Sequence, residues 1–273
     1  TGSLGDRKYT ANWEKDNFNY VVKYHYEDDE TVTSEPISAK YMDEISEFEP
    51  RGRTGYKLRE QPNSIKISND ESQNVLNVYY IKESYTVTLQ LDDNVQSVSG
   101  SGTYKYGQEV TINAFLKTQA GYRIDWQKWE SQTPDLIGNQ ENQTSTITMP
   151  AGDIVLKATS KKNLIDYSIG YNYNNGTPSA LGNLTSYNVE TNTFTLNNPT
   201  KQGYVFDGWT GGTSDVNTGT SGNVTVPTTS LTIEQGSLGD RVYTANWVGD
   251  ETTKYSIEYY KETLNGTYEL AET

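Results

Sequence analysis

The sequence Gly-Ser-Leu-Gly-Asp-Arg-Val-Tyr-Thr-Ala-Asn-Trp at residues 236–247 is a near copy of residues 2–13. The two stretches differ only at Val242, where the first copy has Lys8. A match over a whole motif at the two ends of one chain indicates a long internal repeat. The chain therefore carries about one period of this repeat. Residues 242–247 are interpreted as the strand that closes it.

A shorter repeat lies inside this period. Alternating stretches predict opening strands, because apolar residues at every second position mark one buried face of a sheet. These stretches begin at Tyr20, Tyr85, Tyr167 and Tyr255. The first three are followed, 35 or 36 residues after the opening tyrosine, by a Gly-Tyr-x-apolar motif at Gly55, Gly121 and Gly203. Closing strands are expected at residues 76–82, 154–158 and 242–247. One spacing in three units indicates one topology, with each motif glycine at a turn of positive φ.

These motifs predict three repeats. We place the first repeat at residues 17–83, the second at 84–162 and the third at 163–249. Residues 1–16 are expected to form the closing strand of a preceding repeat. Residues 250–273 are expected to form the opening hairpin of a further repeat, with Asn265-Gly266 as a two-residue turn.

The composition restricts the chemistry of the chain. Its 36 Asp and Glu exceed its 22 Lys and Arg, which gives a net charge of −14. This charge argues against nucleic acid and anionic lipid as partners, because both require a basic surface. The lack of Cys excludes disulfides and thiolate metal sites, and the single His excludes the usual His-rich metal centres. Apolar runs are too short to predict membrane insertion. We expect no cofactor and no metal.

Three motifs of the third repeat carry a resemblance to a known family. Residues 167–176 end in Asn-Gly, residues 203–209 read Gly-Tyr-Val-Phe-Asp-Gly-Trp, and residues 236–247 close the repeat. This combination resembles the Listeria–Bacteroides repeat, or internalin-B-type B repeat. The second repeat, with Gly121-Tyr122, Trp129 and Met-Pro-Ala-Gly-Asp at 149–153, resembles a divergent relative of it.

The first repeat has a different resemblance. Its residues 77–82, Asn-Val-Tyr-Tyr-Ile-Lys, resemble the mucin-binding-protein repeat, as does the stretch from Tyr255. Together the resemblances imply β-grasp-like modules in long surface proteins of mainly Gram-positive bacteria. Such proteins are exported by a signal peptide and held by a cell-wall anchor.

The expected fold class is β-dominated α+β, a tandem array of three small β-grasp-like domains in an elongated rod. The helical part is expected at residues 39–48, where Met42, Ile45 and Phe48 recur at helical spacing before Pro50. The linkers between repeats are very short and lack Gly or Pro runs, which favours a stiff array.

Few residues suggest chemistry. His25 lies on the strand face opposite the apolar residues, so it is expected to face solvent. The acidic runs at 27–30 and 92–93 lack the alternate ligand spacing of calcium loops, and we interpret them as turn residues.

The tryptophans give the only ligand-contact hypothesis. Trp13, Trp209 and Trp247 belong to the repeat motifs and are predicted to be core residues. Trp126 and Trp129 are less constrained by the pattern. A core position is favoured for these two as well. They are nevertheless the candidate ligand-contact residues, because an exposed ring stacks on a sugar face.

The favoured function is a non-catalytic repeat segment of a bacterial surface protein that acts as a stalk and adhesion region. The alternatives are a glycan- or mucin-binding module and an accessory region of a larger cell-wall enzyme. A glycan or protein on a host or neighbouring cell is the expected partner. We expect the array to be monomeric and extracellular.

Overall fold

The computed structural model of the chain describes residues 2, 5–213, 223–252 and 254–272. In these residues it contains β-strands and two short 3-10 turns, and no α-helix. By compactness the chain divides into two units. The first unit holds the residues up to Lys117 together with Trp126–Lys161. The second unit holds Thr118–Asp125 together with the residues from Lys162 onward.

Seven strands and a 3-10 turn at Glu71–Gln73 form the first repeat. The strands are β1 (Asn17–Tyr26), β2 (Thr31–Thr33), β3 (Ile37–Lys40), β4 (Glu44–Ile45), β5 (Tyr56–Leu58), β6 (Ile65–Lys66) and β7 (Val75–Lys82). The main sheet has the order β2-β1-β7-β5, with β3 also paired to β1, and β4 pairs with β6.

The second repeat also has seven strands, and its 3-10 turn lies at Pro134–Leu136. The strands are β8 (Ser84–Leu91), β9 (Val95–Ser99), β10 (Gly102–Lys105), β11 (Glu109–Leu116), β12 (Tyr122–Ser131), β13 (Thr144–Thr148) and β14 (Ile154–Leu164). They form one sheet of order β10-β8-β14-β12 and another of order β13-β11-β9.

The third repeat lies in the second unit and is followed by a hairpin. Its strands are β15 (Tyr167–Asn172), β16 (Ser186–Tyr187), β17 (Phe194–Thr195), β18 (Tyr204–Gly212), β19 (Val224–Thr228), β20 (Thr232–Ile233) and β21 (Arg241–Gly249). The main sheet has the order β16-β15-β21-β18-β19, and β17 pairs with β20. The hairpin consists of β22 (Tyr259–Glu262) and β23 (Tyr268–Glu272).

The three main sheets share one arrangement of their principal strands. The opening strands β1, β8 and β15 run parallel to the closing strands β7, β14 and β21. The strand after each Gly-Tyr motif, which is β5, β12 or β18, lies on the other side of the closing strand. The single topology predicted from the motif spacing is therefore confirmed, and the first repeat has it too.

Each repeat has its own hydrophobic core. Alternate residues of β1 and β7 are buried, and their parallel register sets Val22 beside Leu76 and Tyr24 beside Val78. The second core surrounds Trp129 and the third surrounds Trp209, and both rings are fully buried. An aromatic ring of this size removes about 150–250 Å² from water, so a small core depends on a few such residues.

The motif at 236–247 decides the fold of the third repeat through both its polar and its apolar residues. The Asp240 carboxylate accepts the Ser168 N–H at 2.7 Å, which ties the start of β15 to the start of β21. Arg241 is buried, and its Nε donates to the Tyr187 hydroxyl at 2.7 Å. Tyr243 and Ala245 enter the core, and Trp247 packs against its edge. The second repeat repeats the first of these contacts, with the Thr86 N–H donating to Asp153.

The near-identical residues 5–13 form no strand. Trp13 is 91 % exposed, whereas its counterpart Trp247 lies 5.4 Å from the Phe206 ring and donates its indole N–H to Tyr173. The expected closing strand at 1–16 is therefore not observed in the described residues. In the third repeat the motif pairs with the opening strand β15, whereas no strand of the described residues pairs with residues 5–13. Tertiary pairing, rather than local propensity, makes the motif a strand.

The hairpin predicted in 250–273 is present, but its turn differs from the prediction. Thr263 and Thr267 bracket a three-residue loop, and the Gly266 N–H donates to the Thr263 carbonyl at 3.0 Å. Gly266 has a φ of 75°, whereas Asn265 has a negative φ. This is the three-residue hairpin loop with glycine in the left-handed region, and not a two-residue turn.

The predicted helix at 39–48 is wrong. Met42 has a φ of 68°, and its N–H donates to the Ile67 carbonyl at 2.8 Å, while the Ile67 N–H donates to Asp43. The segment thus turns and pairs with β6, so that Ile45 and Phe48 reach the core without a helix. The fold is a β-dominated tandem array. The α+β prediction fails, and no helix of the described residues packs across a sheet as the β-grasp likeness requires.

Candidate functional site

The Gly-Tyr motifs form three turns of the same geometry. The tyrosine N–H donates to the carbonyl three residues earlier: Tyr56 to Arg53 at 3.0 Å, Tyr122 to Gln119 at 3.1 Å and Tyr204 to Lys201 at 3.1 Å. The glycines Gly55, Gly121 and Gly203 have φ values of 81°, 78° and 75°. Glycine before the last residue of a hydrogen-bonded turn, with φ near +80°, is typical of a type II turn. The predicted positive φ is confirmed at all three positions.

Each turn also holds the chain that leaves the closing strand. The glycine carbonyl accepts an N–H from the residue just beyond that strand. The donors are Glu83 to Gly55 at 2.8 Å, Ile165 to Gly121 at 3.0 Å and Asp250 to Gly203 at 3.1 Å. The turn therefore lies where the polypeptide passes from one repeat toward the next.

In the first unit, a side chain of the second repeat covers Gly55. A Cβ atom at this glycine would lie 2.3 Å from Cγ of Tyr106, so the Tyr106 ring occupies the space that a side chain would need. The Tyr56 ring meets the Tyr106 ring edge-on, with centroids 6.0 Å apart. The Tyr106 N–H donates to the Glu83 carbonyl at 2.8 Å.

An ion pair lies beside this contact. The Lys105 ammonium donates to the Glu27 carboxylate, which also accepts the Lys82 N–H at 2.9 Å. The hydrogen bond from Lys105 is the main cause that lowers the pKa of Glu27. The pair is solvent-exposed, so it orients the contact more than it stabilises it.

In the second unit, a side chain of the third repeat covers Gly121. A Cβ atom here would lie 2.0 Å from Cγ1 of Val189. The Tyr122 hydroxyl donates to Glu190 at 2.7 Å, and the Lys162 ammonium lies 4.5 Å from the centroid of the Tyr122 ring. The segment Thr118–Asp125 belongs to the second repeat in sequence and to the second unit in space.

The two covering residues occupy equivalent positions. The opening tyrosines Tyr85 and Tyr167 pair with Tyr104 and Tyr187 on the neighbouring strand. Tyr106 and Val189 each come two residues after that partner. Neither residue was identified from the sequence, because the role of each depends on strand register. The available signal was the equal two-residue step from Glu83 to Tyr85 and from Ile165 to Tyr167.

The described residues leave the third turn uncovered. No atom of the described residues lies within 4 Å of a Cβ built on Gly203. Tyr204 is 47 % exposed, whereas Tyr56 and Tyr122 are half-buried. The Lys201 ammonium lies over the Tyr204 ring, 4.2 Å from its centroid, and not over the glycine.

The structure places the two candidate ligand-contact tryptophans at the second core. Trp129 is fully buried and donates its indole N–H to the Gln143 carbonyl at 3.2 Å. A buried ring offers no face to a sugar. Trp126 is half-buried, packs edge-on against Trp129 at 5.5 Å and donates to the Glu141 carbonyl at 2.8 Å. Of these two residues, only Trp126 therefore has ring surface left for a ligand.

His25 lies on the outer face of the first sheet, as predicted. Its ring stacks on Tyr79 at 4.8 Å and contacts the Thr31 hydroxyl and the Asn77 amide oxygen. These are its neighbours on adjacent strands, as expected for side chains that share one sheet face.

The acidic runs behave as turn residues. Asp29 in the first run pairs with Arg53 at 3.1 Å. In the second, the Asp92 carboxylate accepts N–H groups from Asn94 and Val95 at 2.9 and 3.1 Å and a hydroxyl from Ser160 at 2.9 Å. Burial raises the pKa of Asp92, but these hydrogen bonds outweigh it and the pKa is lowered. In the described residues, acidic and histidine side chains form no cluster suited to a metal.

The described residues of the first unit form several surface grooves, of which two are relevant here. One, of about 560 Å³, is lined mainly by polar side chains such as Gln90, Lys128 and Lys157. The other, of about 440 Å³, contains the aromatic rings of Trp13, Phe18 and Tyr41. The described helical segments include none that is long and apolar enough to span a membrane.

Three sheets of one topology, joined through equivalent turns, define a tandem β-repeat protein. A family model described as the divergent InlB B-repeat domain matches residues 85–164 and again residues 167–251. The two matches cover more than half of the chain, which therefore belongs to this family. Its repeats are typical of bacterial surface proteins. The family model leaves the first repeat unmatched, so its resemblance to the mucin-binding-protein repeat stays a prediction. A comparison with curated proteins gives no match.

Proposed function

We propose that this chain is a non-catalytic spacer segment of a bacterial surface protein, located outside the cell, in which neighbouring repeats are coupled through their Gly-Tyr turns. The observation that carries the proposal is the pair of equivalent contacts, Tyr106 on Gly55 and Val189 on Gly121. The linker is one residue long between β7 and β8 and two residues long between β14 and β15. Such a short linker limits the freedom of the next repeat, and a covered glycine limits it further.

The electrostatics of the described residues support a non-catalytic role. The lowered pKa values of Asp92 and Asp240 come from hydrogen bonds within turns and strand ends. The raised pKa of Tyr187 comes mainly from burial in the core. Catalytic sites usually gather perturbed groups around one cavity. Here they are spread over structural positions.

A distance measurement within the first unit tests the coupling. Because the chain has no Cys, single cysteines at the exposed positions Asn63 and Asn142 take spin labels uniquely. Coupled repeats predict one narrow distance distribution between the labels. Tyr106→Ser should broaden it, because the serine cannot cover Gly55. Phe115→Ser, an aromatic truncation at an exposed position of β11, is the matched control and should leave it narrow. A broad distribution in the unmutated labelled chain would refute the proposed coupling.

A second candidate function, glycan binding, is favoured by the aromatic groove. Trp13 and Tyr41 expose ring surface beside Lys15 and Asp16, a combination of stacking and polar groups that suits a sugar. Binding of the full chain on a glycan array, abolished by Trp13→Ala and kept by Trp126→Ala, would support it. The counterpart of Trp13 in the third repeat is packed against the core, which favours the spacer function.

A further inference from the structure

We propose that the Gly203–Tyr204 turn is a docking site for a further repeat of the same family, which sets an apolar side chain on Gly203. The occupant is the loop that follows the second strand of that repeat's opening hairpin. This inference rests on the proposed coupling function and extends it to a surface that is open in this chain.

The turn at Gly203 shares the backbone geometry of the two covered turns. Gly203 has the same φ sign, the same turn hydrogen bond and the same bond from the departing chain as Gly55 and Gly121. The departing chain is thus held in the same way at all three turns. At Gly203 the described residues provide no covering side chain, and Tyr204 is correspondingly the most exposed of the three tyrosines.

The surface beside the turn is apolar and carries a positive charge. Val205 and Val248 are directly paired across β18 and β21, and each is about half exposed. They provide an apolar strip next to the bare glycine. The Lys201 ammonium lies over the Tyr204 ring at the same place. An apolar residue followed by an acidic one therefore fits this surface.

The sequence Val189-Glu190 has this pattern, and it shows how the pair acts. Val189 covers Gly121 while Glu190 accepts the hydroxyl of Tyr122. On Gly203 the same pair would set the valine on the glycine and the carboxylate near Tyr204 and Lys201. One feature differs at this junction. Four residues lie between Asp250 and the next opening tyrosine, Tyr255, whereas a single residue lies between Glu83 and Tyr85 and between Ile165 and Tyr167. The linker thus allows docking without enforcing it.

An extended chain tests the docking site. Residues 1–254 are followed by a second copy of residues 167–251, so that the added opening tyrosine takes the position of Tyr255 and the natural linker is kept. Hydrogen exchange is then measured by NMR at residues 203–206 of the original repeat, which is labelled segmentally because the added copy contains the same residues. Docking predicts exchange slower by about tenfold or more than in the unextended chain, because opening then requires breaking the added contact. Val189→Asp in the added copy alone should remove this protection, and Val189→Ala there should reduce it.

The same experiment separates this inference from the function on which it rests. The turns at Gly55 and Gly121 serve as internal references. The first is perturbed by Tyr106→Ser, and the second by Val189→Ser in the original third repeat. If these two turns lose protection when perturbed but residues 203–206 exchange equally fast in both chains, the docking site is refuted and the coupling stands. If the reference turns do not respond either, the coupling function itself is refuted.

Discussion

Replacing the motif glycines by alanine separates the cost of the turn from the cost of the contact. Gly55 and Gly203 have nearly the same φ, 81° and 75°, so the backbone cost of alanine is the same at both. An L-residue at such a φ lowers the free energy of unfolding by about 1–2 kcal/mol. Alanine also restricts the unfolded chain, which raises the free energy of unfolding by about 0.4–1 kcal/mol. Gly203→Ala should therefore destabilise its repeat by roughly 0.5–1 kcal/mol.

Gly55→Ala carries an additional cost. The new Cβ would lie 2.3 Å from Cγ of Tyr106, whereas non-bonded carbon atoms need about 3.5–4.0 Å. Tyr106 must therefore move by more than about 1 Å, and it loses its edge-on contact with Tyr56, which is worth about 0.5–1.5 kcal/mol. The total is about 2–3 kcal/mol once burial of the half-buried ring is also lost.

The assay is native-state hydrogen exchange, read separately for the amides of each repeat. This choice is necessary because a chain with three cores does not unfold in a single transition. Tyr106→Ala supplies the matched background, since it removes the ring that the new methyl group would meet. In that background Gly55→Ala should cost only as much as Gly203→Ala. Equal costs of Gly55→Ala with and without Tyr106 would refute the contact.

Three further predictions concern single positions. Trp209→Ala should destabilise the third repeat by about 3–5 kcal/mol because its ring is fully buried. Trp13→Ala should change stability by less than about 0.5 kcal/mol because its ring is exposed, and thermal unfolding of the two variants measures the difference. Met42→Gly should stabilise the first repeat by about 0.5–1 kcal/mol, because glycine accepts the φ of 68°; a loss of stability in urea titration would contradict the turn at this position. The lowered pKa of Asp92 means that its stabilisation is present above the unfolded-state pKa, about 3.9, and is lost as the pH falls through the folded-state value. Asp92→Asn should therefore flatten the acid side of the stability profile of the second repeat, and an unchanged profile would contradict this role.

The strands and turns could be predicted from the sequence because their signals are local. Alternation from Tyr20 to Tyr26 predicts a half-buried strand without knowledge of its partner. The glycine of the Gly-Tyr motif predicts positive φ for the same reason. The helix prediction failed because three apolar residues at spacings of three also fit a chain that turns at Met42 and pairs with Ile67.

The coupling contacts could not be predicted from the sequence, because they join residues that are distant in it. The position of Tyr106 against Gly55 depends on the pairing of β8 with both β10 and β14. No sequence pattern near either residue specifies that register. The strand at 242–247 and its unpaired copy at 8–13 show the same dependence on distant residues. Near-identical residues are buried in one context and exposed in the other, so the partner strand decides the outcome.

The proximity of Gly55 to the Tyr106 ring is the most direct test of the account. In a proton NMR spectrum of the full chain, this proximity predicts strong nuclear Overhauser effects between the Gly55 Hα protons and the Tyr106 ring, with a Gly55 Hα resonance displaced by the ring current. Equivalent effects should connect Gly121 Hα to the Val189 methyl groups, while Gly203 should show none from the described residues. Gly55 and Gly121 resonances at ordinary glycine positions, without contacts to Tyr106 or Val189, would contradict the account.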